Sequence, residues 1–177
     1  GADTCREWTV ELQGQPVSLV SRDLRLHAAR SRYLFVSGES APTVERGANT
    51  AGVLISEVLA RPYGLRAGGS IRLMTPAGEQ YFPIHGIFYD YVTDGGKVRM
   101  DRALYRRIWR DDTTTVLAVY LAEGVDHESV RRLIKARLRE MAPDSHPGII
   151  SNGELRAEIL AIFDRTCIFI SLVSSSF

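Results

Sequence analysis

GVLISEVLARPYGLRAGGSIRL, Gly52 to Leu73, predicts a strand, a short helix and the beginning of a second strand. Its first four residues, Gly52 to Ile55, are apolar, and a run of this length is typical of a buried strand. Ser56 follows as a good N-cap for a helix, because its hydroxyl can accept a hydrogen bond from a free backbone N–H. Pro62 must shorten that helix and Gly64 must end it.

A β-rich region follows this segment. The turn formers Ala67-Gly68-Gly69-Ser70 lead into a strand at Ile71–Met74. A second strand, Gln80–Ile84, is joined to the first by Pro76-Ala77-Gly78-Glu79, which is a suitable hairpin loop. Residues 87–92 extend this region as far as a turn at Asp94-Gly95-Gly96. We therefore expect a β-rich lobe over about 70–92.

The amino-terminal part also begins with a predicted hairpin. Arg6–Leu12 and Val17–Val20 read as strands on either side of a turn. Tyr33–Val36 is a further short apolar run. Ser37–Thr50 is polar and is interpreted as a loop, since it contains three turn formers, namely Gly38, Pro42 and Gly47.

Strands and helices alternate in the second half. Lys97–Met100 reads as a strand, and Asp101 is the N-cap of a helix with Leu104, Ile108 and Trp109 on one side. Thr114–Leu121 is rich in Val, Leu and Thr and reads as a central strand. Hairpins followed by this alternation predict an α+β fold.

Two more helices are predicted after Gly124. Asp126 is the N-cap of a helix with one buried apolar face, formed by Val130, Leu133, Ile134, Leu138 and Met141. Ile149–Ile150 reads as a short strand. Ser151 and Glu154 fit a capping box for the last helix, which carries Leu155, Ile159, Leu160 and Phe163.

The last twelve residues, Thr166 to Phe177, carry no charge. A membrane-spanning helix needs about 20 mainly apolar residues, so this tail by itself is too short to span. Two interpretations remain open for it: a core helix, or the first turns of a transmembrane helix that is truncated.

Composition and motifs give no catalytic, cofactor or metal site. The 22 Lys and Arg nearly balance the 21 Asp and Glu, which argues against a nucleic-acid binder. The glycines lack the phosphate-binding patterns, and Ser56 lacks the flanking glycines of a nucleophile elbow. The cysteines, Cys5 and Cys167, are interpreted as buried small side chains, with one disulfide as the alternative. The histidines lack metal-ligand spacing; they are His27, His85, His127 and His146.

Basic residues gather on the polar sides of two predicted helices. The helix after Asp126 carries Arg131, Arg132, Lys135, Arg137 and Arg139, and the helix after Asp101 carries Arg102, Arg106, Arg107 and Arg110. A solvated face paired with Glu128 or Glu140 is the simpler interpretation. Attraction to anionic lipid headgroups or to an acidic partner is the alternative.

Three stretches resemble the large extracytoplasmic domain of FtsX-like permeases, the MacB-type periplasmic core. They are Gly52–Leu73, FPIHGIFYDYVTDGGKVRMDRALYRRIWRDD at Phe82–Asp112, and ELRAEILAIFDRT at Glu154–Thr166. The hairpin at Trp8–Leu24 matches loosely. Three positions depart from the family pattern, namely Pro62, Gly69 and Cys167.

This resemblance implies a strand–helix lobe near the membrane and a β-rich second lobe. It implies that residues 1–165 are an extracytoplasmic domain and that 166–177 begin a transmembrane helix. The domain would be non-catalytic and would lie on the periplasmic or extracytoplasmic side of the inner (cell) membrane.

The resemblance also implies partners. These are a cytoplasmic ATP-binding subunit reached through the transmembrane part, a second permease in a dimer, a periplasmic partner protein, and the membrane itself through flanking helices. The implied role is to couple an ATP-driven conformational change to handling of a lipid, lipoprotein or peptide. The alternative function is a soluble hydrolase or a small-ligand binding protein whose site has no recognisable motif.

Overall fold

The computed structural model describes residues 1–31, 33–90, 95–141, 143–144, 148–157 and 160. They belong to two compact units, Gly1–Tyr120 and Leu121–Phe177. The described chain contains both helices and a mixed sheet, which confirms the predicted α+β class. The tail at 166–177 lies outside the described residues, so its membrane assignment and the predicted domain boundary at 165 stay predictions. No described helix is long and apolar enough to cross a bilayer.

The first unit is built on a seven-stranded sheet with the order β4-β5-β3-β6-β2-β1-β7. β2 is parallel to β6 and β3 is parallel to β5, whereas the other neighbours are antiparallel. The strands are β1 (Ala2–Leu12), β2 (Gln15–Arg22), β3 (Val53–Ser56), β4 (Ser70–Thr75), β5 (Gly78–Phe88), β6 (Lys97–Asp101) and β7 (Val116–Val119).

Both predicted hairpins are confirmed. β1 and β2 are joined by Gln13 and Gly14, whose φ angles of 51° and 79° form the left-handed turn that suits a two-residue hairpin loop. β4 and β5 form the second hairpin within the region predicted to be β-rich. β5 then pairs with β3, so this hairpin continues the same sheet. Tyr91 and Val92 lie outside the described residues.

Helices cover both faces of this sheet. Since neighbouring side chains of a strand point to opposite faces, Val53 and Ile55 enter one core while Leu54 enters the other. The first core also holds Leu59 and Leu104 from helices on that face. The helices of the first unit are α1 (Leu24–Ala28), α2 (Ser40–Asn49), α3 (Glu57–Ala60) and α4 (Arg102–Trp109).

α2 corrects the loop prediction for Ser37–Thr50. Pro42 lies in the first turn of this helix, where a backbone N–H has no partner to lose. Gly47 lies so close to α1 that a Cβ atom there would be 3.2 Å from Leu24 Cδ1. Two residues that normally break helices are therefore compatible with this one. α1 was not predicted at all, because five residues are too few to show a periodic pattern.

β7 corrects the prediction of a central strand at Thr114–Leu121. Among the described strands it pairs with β1 alone and ends the strand order, and Val116, Leu117 and Val119 remain exposed. Its composition indicated burial, but burial depends on what lies on either side of a strand.

The second unit contains α5 (His127–Met141) and a helical segment at 152–157. Asp126 accepts hydrogen bonds from the Glu128 and Ser129 backbone N–H groups, which confirms it as the N-cap. The predicted capping box is also confirmed, since Ser151 N donates to Glu154 Oε2 and Glu154 N donates to Ser151 Oγ.

Two predictions for this unit are wrong. No residue of α5 is fully buried: the side chains predicted to form a buried face are half-buried at Val130, Ile134 and Leu138 and exposed at Leu133 and Met141. Ile149 and Ile150 are not in a strand. Short apolar pairs are common outside strands, so the pattern at these two positions was weak evidence.

A buried charged network connects β1, β2 and α1. The Asp3 carboxylate is fully buried and accepts hydrogen bonds from Arg22 Nε at 3.1 Å and Nη2 at 2.5 Å. Arg22 also contacts His27, with 3.4 Å between Nη1 and Nε2. Burial, followed by the charges of Arg22 and Arg99, lowers the pKa of His27 to about 3. His27 therefore remains neutral in the folded protein over most of the acidic range.

His27 gives a pH-dependent stability. The unfolded chain binds a proton at the ordinary pKa of 6.5, whereas the folded chain does so only near pH 3. The stabilisation is therefore complete above pH 6.5 and is lost as the pH falls toward 3. Between pH 6.5 and 3, the free energy of unfolding of His27→Gln should fall less than that of the parent. Urea unfolding at several pH values measures this difference. His127→Gln, which removes an exposed imidazole, is the control and should follow the parent. Parallel curves for the parent and His27→Gln would contradict this account.

Gly86 tests the packing of α2 on the sheet. A Cβ atom at Gly86 would lie 2.5 Å from Thr43 Cγ2 and 2.8 Å from Phe35 Cε1, so a neighbour must move. Gly86→Ala should therefore lower the free energy of unfolding by about 1–3 kcal/mol in urea titrations. Gly95→Ala is the matched control, because among the described residues its Cβ would meet Pro16 O alone, at an ordinary contact distance of 3.5 Å. Equal stability of the two variants would show that α2 does not pack here.

Candidate functional site

Ser56 ends β3 and has a structural role. It is fully buried, and its Oγ accepts hydrogen bonds from Leu59 N at 3.3 Å and from Lys97 N at 2.8 Å. The first bond caps α3 and the second fixes the beginning of β6. The interpretation of Ser56 as a helix cap is therefore confirmed.

Asp111 is held by a set of hydrogen bonds at the end of α4. Its Oδ2 accepts from Arg6 Nε at 3.0 Å and from the Tyr105 hydroxyl at 2.5 Å, and its Oδ1 accepts from Thr113 N and Oγ1. The bonds from Thr113 and Tyr105 hold the pKa of Asp111 well below its usual range. Burial and the bond to Asp111 raise the pKa of Tyr105 to about 12. Asp111 therefore stays ionised and connects α4 to β1.

Arg102 does not belong to the exposed basic face predicted for α4. It is only 4% exposed, and it donates to Ser21 Oγ at 3.0 Å and to the carbonyl oxygens of Asp112 and Thr113 at 3.2 and 2.7 Å. As the first residue of α4 it lies beside β2 and the chain that follows the helix. Arg106, Arg107 and Arg110 are exposed, as predicted.

The described histidines lie apart. His27 belongs to the buried network, His127 is exposed, and His85 Nε2 lies 2.5 Å from Thr50 Oγ1. Burial and the charge of Arg46 lower the pKa of His85. His146 lies outside the described residues. Within the described ranges, no group of three His, Cys, Asp or Glu side chains is placed to hold a metal ion.

Cys5 is buried and unpaired, which confirms its interpretation as a small buried side chain. Burial raises the pKa of its thiol. Cys167 lies outside the described residues.

A cleft of about 240 Å³ lies at the carboxyl ends of the parallel strands β2 and β6. Its carboxylates already have structural roles. Asp23 caps α1 through Leu26 N, and Asp101 caps α4 through Ala103 N. Asp101 also accepts from Leu24 N, which connects the starts of the two helices.

The opposite end of the sheet carries exposed apolar side chains. Val36 N donates to Ile87 O and Tyr89 N donates to Leu34 O, both at 2.8 Å, so residues 34–36 lie alongside the end of β5. Leu34, Val36 and Tyr89 are 58%, 46% and 39% exposed, and we call these three residues the Leu34 surface. Single exposed apolar residues are ordinary, whereas large contiguous apolar patches are typical of contact surfaces.

Two clefts lie at this end of the first unit. One, of about 260 Å³, is lined in part by Val36, Leu65 and Tyr89. The other, of about 210 Å³, is lined in part by Leu65 and Tyr81, and Tyr81 is 68% exposed. Leu65 is shared, so the two clefts adjoin. Together with the Leu34 surface they form the candidate functional site, which is an exposed and partly apolar surface.

Sequence reasoning located only part of this surface. The aromatic residues of the predicted β region divide between surface and core, since Tyr81 and Tyr89 are exposed whereas Phe82 and Phe88 are buried. Sequence reasoning identified Tyr33–Val36 as apolar but did not distinguish the buried Tyr33 from the exposed Leu34. Side chains of an extended run alternate between its two sides, and this alternation could have separated the buried Tyr33 from the exposed Leu34.

The chain is similar in sequence to a permease protein. The chain is 30% identical over 154 residues to a Mycobacterium tuberculosis protein named an uncharacterized ABC transporter permease protein. The match covers 86% of this chain and spans only 18% of the relative. No protein-family profile matches the chain.

Two solved structures have the same fold. The periplasmic region of MacB from Actinobacillus actinomycetemcomitans matches with a TM-score of 0.56 and 8% identity, covering 90% of this chain and 75% of that one. The extracellular domain of the noncanonic ABC-type transporter YknZ from Gram-positive bacteria matches with a TM-score of 0.53 and 10% identity, covering 77% and 73%. The sequence relation and the fold confirm the resemblance drawn from the sequence, and they fit a MacB-like extracytoplasmic domain of an ABC transporter permease.

Proposed function

We propose that the chain is a non-catalytic extracytoplasmic domain that couples an ATP-driven conformational change to the handling of a molecule outside the membrane. The observation that carries this proposal is a match to a permease across 86% of the chain, on the fold of a transporter's periplasmic region. ATP would be hydrolysed by a cytoplasmic ATP-binding subunit, reached through the transmembrane part of the parent protein.

The Leu34 surface and its clefts are where this domain would meet its substrate or partner. Leu34, Val36 and Tyr89 offer apolar area at one end of a rigid sheet, and Leu65 connects the two clefts. Apolar surface with aromatic side chains is typical of protein contacts and also suits an acyl chain. A lipid, a lipoprotein, a peptide or a periplasmic protein fits this chemistry.

The position of the domain can be measured in the parent permease. Ser37→Cys introduces a thiol at an exposed position beside the Leu34 surface. A membrane-impermeant maleimide should label it in intact cells, because the domain would lie outside the cytoplasm. The unsubstituted parent is the control and gives the background labelling of its own cysteines, of which Cys5 is buried. Labelling that requires permeabilised cells would contradict the extracytoplasmic assignment.

Coupling can be measured at the surface itself. Leu34→Cys in the reconstituted permease and its ATP-binding subunit should react at different rates in the ATP-trapped and ADP-bound states. The reason is that the exposure of residue 34 would change when this surface engages another part of the transporter during the cycle. An ATP-binding subunit that cannot bind nucleotide is the control. Identical rates of thiol labelling in both nucleotide states would show that this surface is not coupled to the ATP cycle.

A further inference from the structure

One side of α5 carries three basic residues. Arg132, Lys135 and Arg139 are spaced by three and four positions, which places them on one side of an α-helix. All three side chains are exposed. We call these three residues the basic stripe.

Within the part of the chain that the structure describes, the basic stripe has no carboxylate partner, unlike the other cations of α5. Arg131 pairs with Glu128 and Glu154, and Arg137 pairs with Glu140. Among the residues that the structure describes, none offers a carboxylate within 4 Å of a stripe cation, and Arg132 donates only to Ser129 Oγ at 3.1 Å. Three uncompensated positive charges therefore lie together on one surface.

The stripe lies opposite the packed side of α5. Val130, Ile134 and Leu138 are spaced by four positions and are half-buried, so they mark the side that packs within the second unit. On an α-helix these positions lie on the far side from Arg132 and Arg139. The stripe therefore faces away from the apolar packing of its own unit.

We propose that the basic stripe binds the anionic headgroups of a lipid bilayer. This inference rests on the proposed function, in which the uncharged segment 166–177 enters the membrane. Only residues 142–165 separate α5 from that segment, so tethering would hold the stripe at a high effective concentration near the bilayer. Lys and Arg side chains near an anionic surface are attracted to it, and the attraction of several such charges accumulates.

The test compares vesicles of phosphatidylcholine alone with vesicles that also contain phosphatidylglycerol. The variant combines Arg132→Gln, Lys135→Gln and Arg139→Gln in the whole chain. Each lost charge should reduce partitioning into the anionic vesicles about fivefold, and the three together about a hundredfold. High salt should produce a similar loss in the parent, because it screens exposed charges. Any apolar binding by 166–177 would be the same in both kinds of vesicle.

A matched control removes three exposed arginines of the first unit, with Arg66→Gln, Arg107→Gln and Arg110→Gln. This variant has the same net charge as the stripe variant and should keep its affinity for anionic vesicles. Circular dichroism of both variants should match the parent.

Three outcomes would overturn the proposal. The first is equal binding of the parent to both kinds of vesicle, and the second is an equal loss of binding in the two triple variants. The third is a stripe variant that loses binding to polyglutamate but keeps its binding to vesicles. The last would indicate an acidic protein as the partner. None of them affects the labelling of Ser37→Cys in intact cells, so failure here is distinguishable from failure of the proposed function.

Discussion

β3 is buried on both of its faces, and the two cores of the first unit are assembled against its four residues. Val53 and Ile55 pack into one core and Leu54 into the other, each with no exposed surface. Ser56 then connects this strand to α3 and β6 through its hydroxyl. A strand enclosed in this way tolerates little change, because every one of its side chains has a defined neighbour.

The side chains that could perform chemistry are largely used to hold the fold together. Asp3 is paired with Arg22, and Asp111 is engaged by Arg6 and Tyr105. Buried charges require such partners, because an isolated charge in an apolar interior is very costly. Exposed apolar side chains of the first unit lie instead at the Leu34 surface and the clefts beside it. This arrangement suits a domain that transmits movement and contacts a partner, as proposed for a transporter ectodomain.

Local sequence determined the elements that depend on a few adjacent residues. A turn between β1 and β2, the caps at Ser56, Asp101 and Asp126, and the capping box of Ser151 with Glu154 were all predicted, and the structure confirms them. Each depends on a short-range hydrogen bond or a backbone angle, which the residue type largely decides. The resemblance to a MacB-type domain also rested on such local segments.

Tertiary structure alone decided where these elements lie and which side chains remain exposed. Gly47 and Pro42 read as loop residues until a close approach to Leu24 and a place in the first helical turn made them suitable for α2. β7 has the composition of a central strand but lies at the end of the strand order. Leu34 belongs to an apolar run yet is exposed. The physical reason is the same in each case. Burial depends on neighbours that are distant in the chain, whereas the residue type gives only a preference for being buried.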